Sequence, residues 1–150
     1  METEMNFELG TDGPRTLLVA LDGSVTSLRA GAYAAGLARR QGSRLIAVYV
    51  QTVGALAGMS ALAVQAAREG AEATAAELRE LAERQARERG VGLTFVTRTG
   101  DPFTEIAALA DAERADGVLV GASEHLGHRL VGSLAVRLVR AGRWPVTVVP

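Results

Sequence analysis

Five short apolar runs, separated by stretches of helical patterning, constrain this chain more than any other feature. They are 15–21 (RTLLVAL), 44–50 (RLIAVYV), 93–98 (LTFVTR), 117–120 (GVLV) and 145–149 (PVTVV). Runs of this kind fit strands buried on both faces. Between the first two, 25–41 reads as a helix with Leu28, Ala32, Ala35 and Leu37 on or near one face. Ser24 or Asp22 can cap its start, and Gly42 stops it. Residues 53–88 read as a loop followed by a long Ala/Glu/Arg-rich helix that ends at Gly90. Asp101 caps the next helix and Pro102 takes its first position. That helix, 103–114, turns Phe103, Ile106, Ala107 and Ala110 inward. Residues 121–131 read as a polar loop, and Gly132-Ser133 opens a last helix to Ala141. Strict alternation of strand and helix predicts a doubly wound α/β fold: one five-stranded, mainly parallel sheet with helices on both faces.

At 150 residues the chain is long enough for one domain with a substantial core. We expect a single domain over 14–150, preceded by a mobile tail, 1–13, that is acidic and polar. The sign of that tail is opposite to the start of a secretory signal peptide. The longest apolar stretch, 53–64, is 12 residues, and a membrane span takes ~20. These features predict a soluble, cytoplasmic protein without a membrane partner.

Composition removes several reaction classes. Cysteine is absent, and all 16 Lys+Arg residues are arginines. Thiol nucleophiles, disulfides and thiolate metal sites are therefore excluded. So are a lysine Schiff base and a Walker-type phosphate clamp. The net charge of −1 provides no positive field to attract nucleic acid.

In an open parallel sheet, ligands bind beyond the carboxyl ends of the strands where strand order reverses. Two loops have the right position: Leu21-Asp22-Gly23-Ser24, and 121–133 (GASEHLGHRLVGS). The second ends at a helix start, whose free N–H groups and positive dipole end suit a phosphate. Gly132 would let the backbone approach, and Ser133 would add a hydroxyl. The plainer reading is that Gly132 makes a turn and Ser133 caps. His125 and His128 follow Glu124 in this loop. Glu-His-x-x-His is not the zincin order, so we expect loop histidines and no metal site.

The sequence resembles the universal stress protein family. The matching pieces are LLVALDGS (17–24), RLIAVYV, GDPFTEIAALADAERADGVLVGAS (100–123), the VGS turn and RWPVTVVP at the carboxyl end. They stand in the family's order and cover residues 14 to 150. The resemblance implies a Rossmann-like fold of the adenine nucleotide alpha hydrolase type. It divides the possibilities between members that bind ATP and members that do not. The binders resemble one another in a signature of Gly, two residues, Gly, nine residues, then Gly with Ser or Thr. Here Gly121 matches the first glycine and Gly132-Ser133 the closing pair. Glu124 replaces the second glycine, and seven residues separate it from Gly132 instead of nine. A carboxylate ~4 Å from a phosphate opposes binding by ~1 kcal/mol in water and ~4 at an effective dielectric of 20. Arg129, with His128, would restore positive charge, and Gly127 would restore lost backbone freedom.

By the same resemblance, Asp22 matches the aspartate beside the nucleotide, on ribose or a Mg²⁺ ion. Its alternative role is a cap in an Asp-Gly turn. Ala20 and Leu21 would form the pocket floor, and Val50 would offer its backbone to the adenine edge. Gly121, Gly132 and Ser133, with Arg129, would hold the phosphates, and Leu134 would belong to the same binding site. The cofactor implied is ATP or another adenine nucleotide with Mg²⁺, or none if the altered loop abolishes binding. A smaller or cyclic nucleotide suits the shortened loop. The last strand predicts a sheet edge, and the family implies a homodimer through it, 145–149. Trp144 packs either at that seam or on its own core. The leading function is a dimeric nucleotide-responsive stress module. The alternative is a non-binding dimer that works through protein partners, and slow ATP hydrolysis ranks third.

Overall fold

The computed structural model describes residues 13–125 and 128–150, with backbone alone at 55, 125 and 128–130. The amino-terminal residues 1–12 and Gly127 lie outside that description, as do the side chains of His125, His128 and Arg129. Strands β1 (Thr16–Ala20), β2 (Arg44–Gln51), β3 (Leu93–Thr99), β4 (Gly117–Gly121) and β7 (Val146–Val149) form one sheet in the order β3-β2-β1-β4-β7. Every neighbouring pair in it is parallel. The doubly wound α/β expectation is met.

Helices α1 (Val25–Gln41) and α2 (Ala61–Arg89) cover one face; α3 (Pro102–Ala112) and α4 (Ser133–Ala141) cover the other. Each strand divides its side chains between two cores. On β1, Leu17 and Val19, with Leu21 just beyond it, meet the α1/α2 layer, while Leu18 faces the α3/α4 layer with Ile46, Ile106, Val118 and Leu138. Burial on both faces is why these strands read as continuous apolar runs. The start of β1 is pinned to β4 by Asp116, whose Oδ2 accepts the N–H groups of Arg15 and Thr16 at 2.9 Å each.

Helix ends follow local chemistry. Ser24, Ser60 and Asp101 cap α1, α2 and α3 by accepting the N–H of Ser27, Ala63 and Thr104. Gly42, Gly90 and Gly142 end α1, α2 and α4 in the left-handed region, at φ 67°, 68° and 65°. Pro102 opens α3, and Ile106, Ala107 and Ala110 are buried with Phe103 half-buried, as its patterning predicts.

Two expectations are corrected. The face of α1 that packs on the sheet carries Ala30, Ala34, Ala35 and Ala38, whereas Leu28 is 37% exposed and Ala32 is exposed. The cause is close approach: a Cβ at Gly121 would lie 2.5 Å from Ser27 N, so only small side chains fit beneath the helix. The second concerns 121–131. Instead of a polar loop, it contains an antiparallel pair, β5 (Ser123–His125) with β6 (His128–Leu130), Glu124 opposite Arg129. Strand β7 is at the sheet edge, as expected. Trp144 packs on the α3/α4 core with Arg143 over its ring at 4.6 Å, which agrees with its own-core reading.

Candidate functional site

Strand order reverses between β1 and β4: β2 and β3 lie to one side of β1, β7 beyond β4. A cleft of about 480 Å³ opens at their carboxyl ends, within the usual range for small-molecule sites. Its floor is made by Ala20, Leu21, Val48, Val50, Val120 and Gly121. One wall is the β1–α1 turn and the other is the start of α4, with Thr52 and Pro102 closing the ends. Of the predicted binding residues, Ala20, Leu21, Asp22, Val50, Gly121, Gly132, Ser133 and Leu134 all line this one cleft. Arg129 has a described backbone in β6 only.

The β1–α1 turn is closed by its own side chains. Gly23 stands at φ +86°, a conformation that L side chains rarely adopt. Asp22 Oδ1 accepts the Ser24 N–H at 2.8 Å, and the Asp22 N–H donates to Ser27 Oγ at 3.2 Å. Ser24 Oγ accepts the Ser27 N–H at 3.2 Å, so Ser24 and not Asp22 is the cap of α1. Thr26, buried behind the turn, donates its hydroxyl to the Ala122 carbonyl at 2.6 Å and ties α1 to the end of β4. Burial pushes the Asp22 pKa up. The hydroxyl and N–H of Ser24, with the hydroxyl of Ser27, outweigh that and hold it below the ordinary carboxylate value. Asp22 is therefore an anion at neutral pH.

The opposite wall is built differently. Gly132 is the N-cap of α4 and supplies no side-chain hydrogen bond to it. Ser133 is the first residue of the helix, not its cap, which corrects the plainer reading of that serine. The first-turn N–H groups of a nine-residue helix thus face the cleft beside an exposed hydroxyl. A Cβ at Gly132 would run into the Ser123 hydroxyl, so the glycine also has a packing reason. Behind α4, Arg137 pairs with Asp101 at 3.3 Å and covers the Phe103 ring at 4.4 Å, which ties α4 to the start of α3.

Glu124 lines the same cleft. The described lining residues thus include two carboxylates, Asp22 and Glu124, and no arginine. Sequence reasoning placed Ser24 and Ser123 in its two candidate loops without giving them a role, and missed Thr26, Ser27, Thr52 and Pro102 as lining residues. Their signal was positional: each lies just beyond a strand's carboxyl end or in a helix's first turn.

Among the described residues, no helix is long and apolar enough to cross a membrane. The family model for the universal stress protein family matches residues 14–150. A universal stress protein of Methanocaldococcus jannaschii is 28% identical over 142 residues, covering 90% of this chain and 81% of that protein. The crystal structure of a universal stress protein family member from Burkholderia pseudomallei is 28% identical, with a TM-score of 0.68 over 90% of this chain and 95% of that one. A universal stress protein family structure from Arabidopsis thaliana, with AMP bound, shares the fold at 22% identity and a TM-score of 0.68, covering 91% of each chain. The chain belongs to the universal stress protein family.

Proposed function

We propose that this protein is a regulatory stress-response module that binds an adenine nucleotide in the cleft between β1 and β4. The observation that carries the reading is the convergence of all the predicted binding residues but Arg129 on one cleft of suitable volume. Asp22, held anionic by its turn, accepts from the ribose hydroxyls or holds Mg²⁺ when a polyphosphate brings one. The backbone at Val50 reads the adenine edge. The uncapped start of α4, with Ser133, takes the phosphate. The AMP held by the Arabidopsis relative supports this class of ligand. Glu124, in the same cleft as Asp22, sets the order of preference: few phosphate charges over many, hence AMP or a cyclic monophosphate over ATP.

The module is regulatory and not catalytic in this reading, because a carboxylate held below its ordinary pKa is a weak general base. It acts in the cytoplasm as a homodimer joined through the free edge of β7, where four apolar or β-branched residues lie between Pro145 and Pro150. A protein partner receives the signal. Glu124 favours one second reading, a non-binding module that acts through partners alone. Calorimetric titration with AMP, cyclic AMP and ATP·Mg²⁺ separates the two. Heat that falls in the order AMP, then ATP, supports the nucleotide reading. No heat from any of the three at millimolar ligand sinks it.

A further inference from the structure

We propose that the groove between α1 and α2 is a second, separate binding site, for a medium-chain carboxylate. It is a narrow apolar space of about 180 Å³ over β1 and β2. Gly31, Ala32 and Ala35 of α1 face Ala82 and Ala86 of α2 across it. Small residues on both walls leave open a space that protein interiors ordinarily fill. Apolar cavities of ~150 Å³ stay dry and take up small hydrocarbons. The groove's volume is below that of even one turn of another helix, ~10 Å across with side chains and ~5.4 Å in pitch. It suits a single alkyl chain.

The head group follows from the one charged residue that lines the groove, Arg89, at the carboxyl end of α2. Gln85, one turn back on the same face, adds an amide donor. Arg44, Arg137 and Arg143 are all committed to carboxylates, whereas Arg89 makes no ion pair among the described residues. A guanidinium and an amide recognise a planar carboxylate. The α2 wall from Leu78 to Arg89 runs about 16 Å at 1.5 Å per residue, long enough for the tail of decanoate. Leu28 explains itself here: it is exposed from the core because it forms the lip of this groove.

The test is calorimetry of the full chain with decanoate and decanol. Decanoate should bind one to one. Arg89→Gln should weaken it about tenfold and lower unliganded thermal stability only slightly, because Arg89 is exposed and its remaining tie is to the carboxyl-end dipole of α2. Decanol should bind the parent protein no better than decanoate binds that variant. Ala82→Leu, which fills the groove, should abolish both, and if it fails to fold, Ala32→Leu does the same from the other wall. Absence of decanoate binding overturns the proposal, as does equal affinity for decanol and decanoate. Binding that appears only in a Phe7→Ser, Leu9→Ser variant would make the chain's own amino-terminal segment the occupant. A mass that doubles with concentration and falls back in Ala82→Leu would assign the groove to a second copy. Either result also overturns it.

Discussion

Two helix starts face each other across the cleft, and they are built on opposite principles. At α1, the N–H groups of Ser24 and Ser27 go to Asp22 and Ser24, and Thr26 secures the turn to Ala122. At α4, the cap is a glycine that supplies no side chain. A helix start closed by its own side chains contributes to stability. One capped by glycine gives up only about 0.3 kcal/mol of capping and keeps its donors for something else. The difference teaches where to look for ligand contacts: on the wall the protein left unfinished.

The comparison can be broken in order of expected effect. Gly121→Ala should be the most damaging change, because its Cβ would lie 2.5 Å from both Ser27 N and the Thr26 carbonyl carbon. Backbone cannot yield there as a side-chain tip would. Urea unfolding should register a loss of about 3 kcal/mol, and an unchanged midpoint would deny the close approach of α1 to β4. Next is Glu124→Gly. Removing a carboxylate from the cleft should tighten ATP by about 1 kcal/mol, near fivefold, and AMP by less. Equal gains for the two nucleotides would show that Glu124 does not act through its charge.

The two serines test the contrast itself. Ser24→Ala should cost about 1 kcal/mol of stability, as loss of an N-cap does. Ser133→Ala should leave unfolding within about 0.5 kcal/mol of the parent and weaken AMP. Reversed outcomes would exchange the roles of the two walls. The smallest effect belongs to acid. Asp22 has a folded pKa below its unfolded value near 3.8, so its ionised form stabilises the fold above that pH, and the contribution is lost as pH falls through the folded pKa. Asp22→Asn should therefore unfold more readily than the parent at neutral pH, and the two stability curves should converge on acidification below the unfolded value. Parallel curves throughout would mean that the turn does not use the charge.

Much of the fold was legible because burial on both faces writes itself as continuous apolar runs, and because Asp101-Pro102, Gly42 and Gly90 are strong punctuation. The face of α1 was not. A helix of Ala, Gly and Leu offers several apolar stripes, and the one that packs was chosen by how closely β4 had to approach, a distance no local pattern carries. The β5–β6 pair was hidden for a different reason: Ser-Glu-His and His-Arg-Leu show no alternation that marks a half-buried strand. The cleft's floor could be inferred from topology together with the family resemblance. The hydroxyls of Thr26 and Ser27 on the α1 wall could not, because they look like part of any capped helix start.

Gly121 alters how relatives should be sorted. A glycine at that place is easily counted as half of a nucleotide signature, yet here the helix crossing above it already demands it. In this chain the fold requires it whether or not a nucleotide binds, so its presence here says nothing about cargo. Positions 124 and 133, where the fold makes no such demand, are the ones whose letters should track what each member carries.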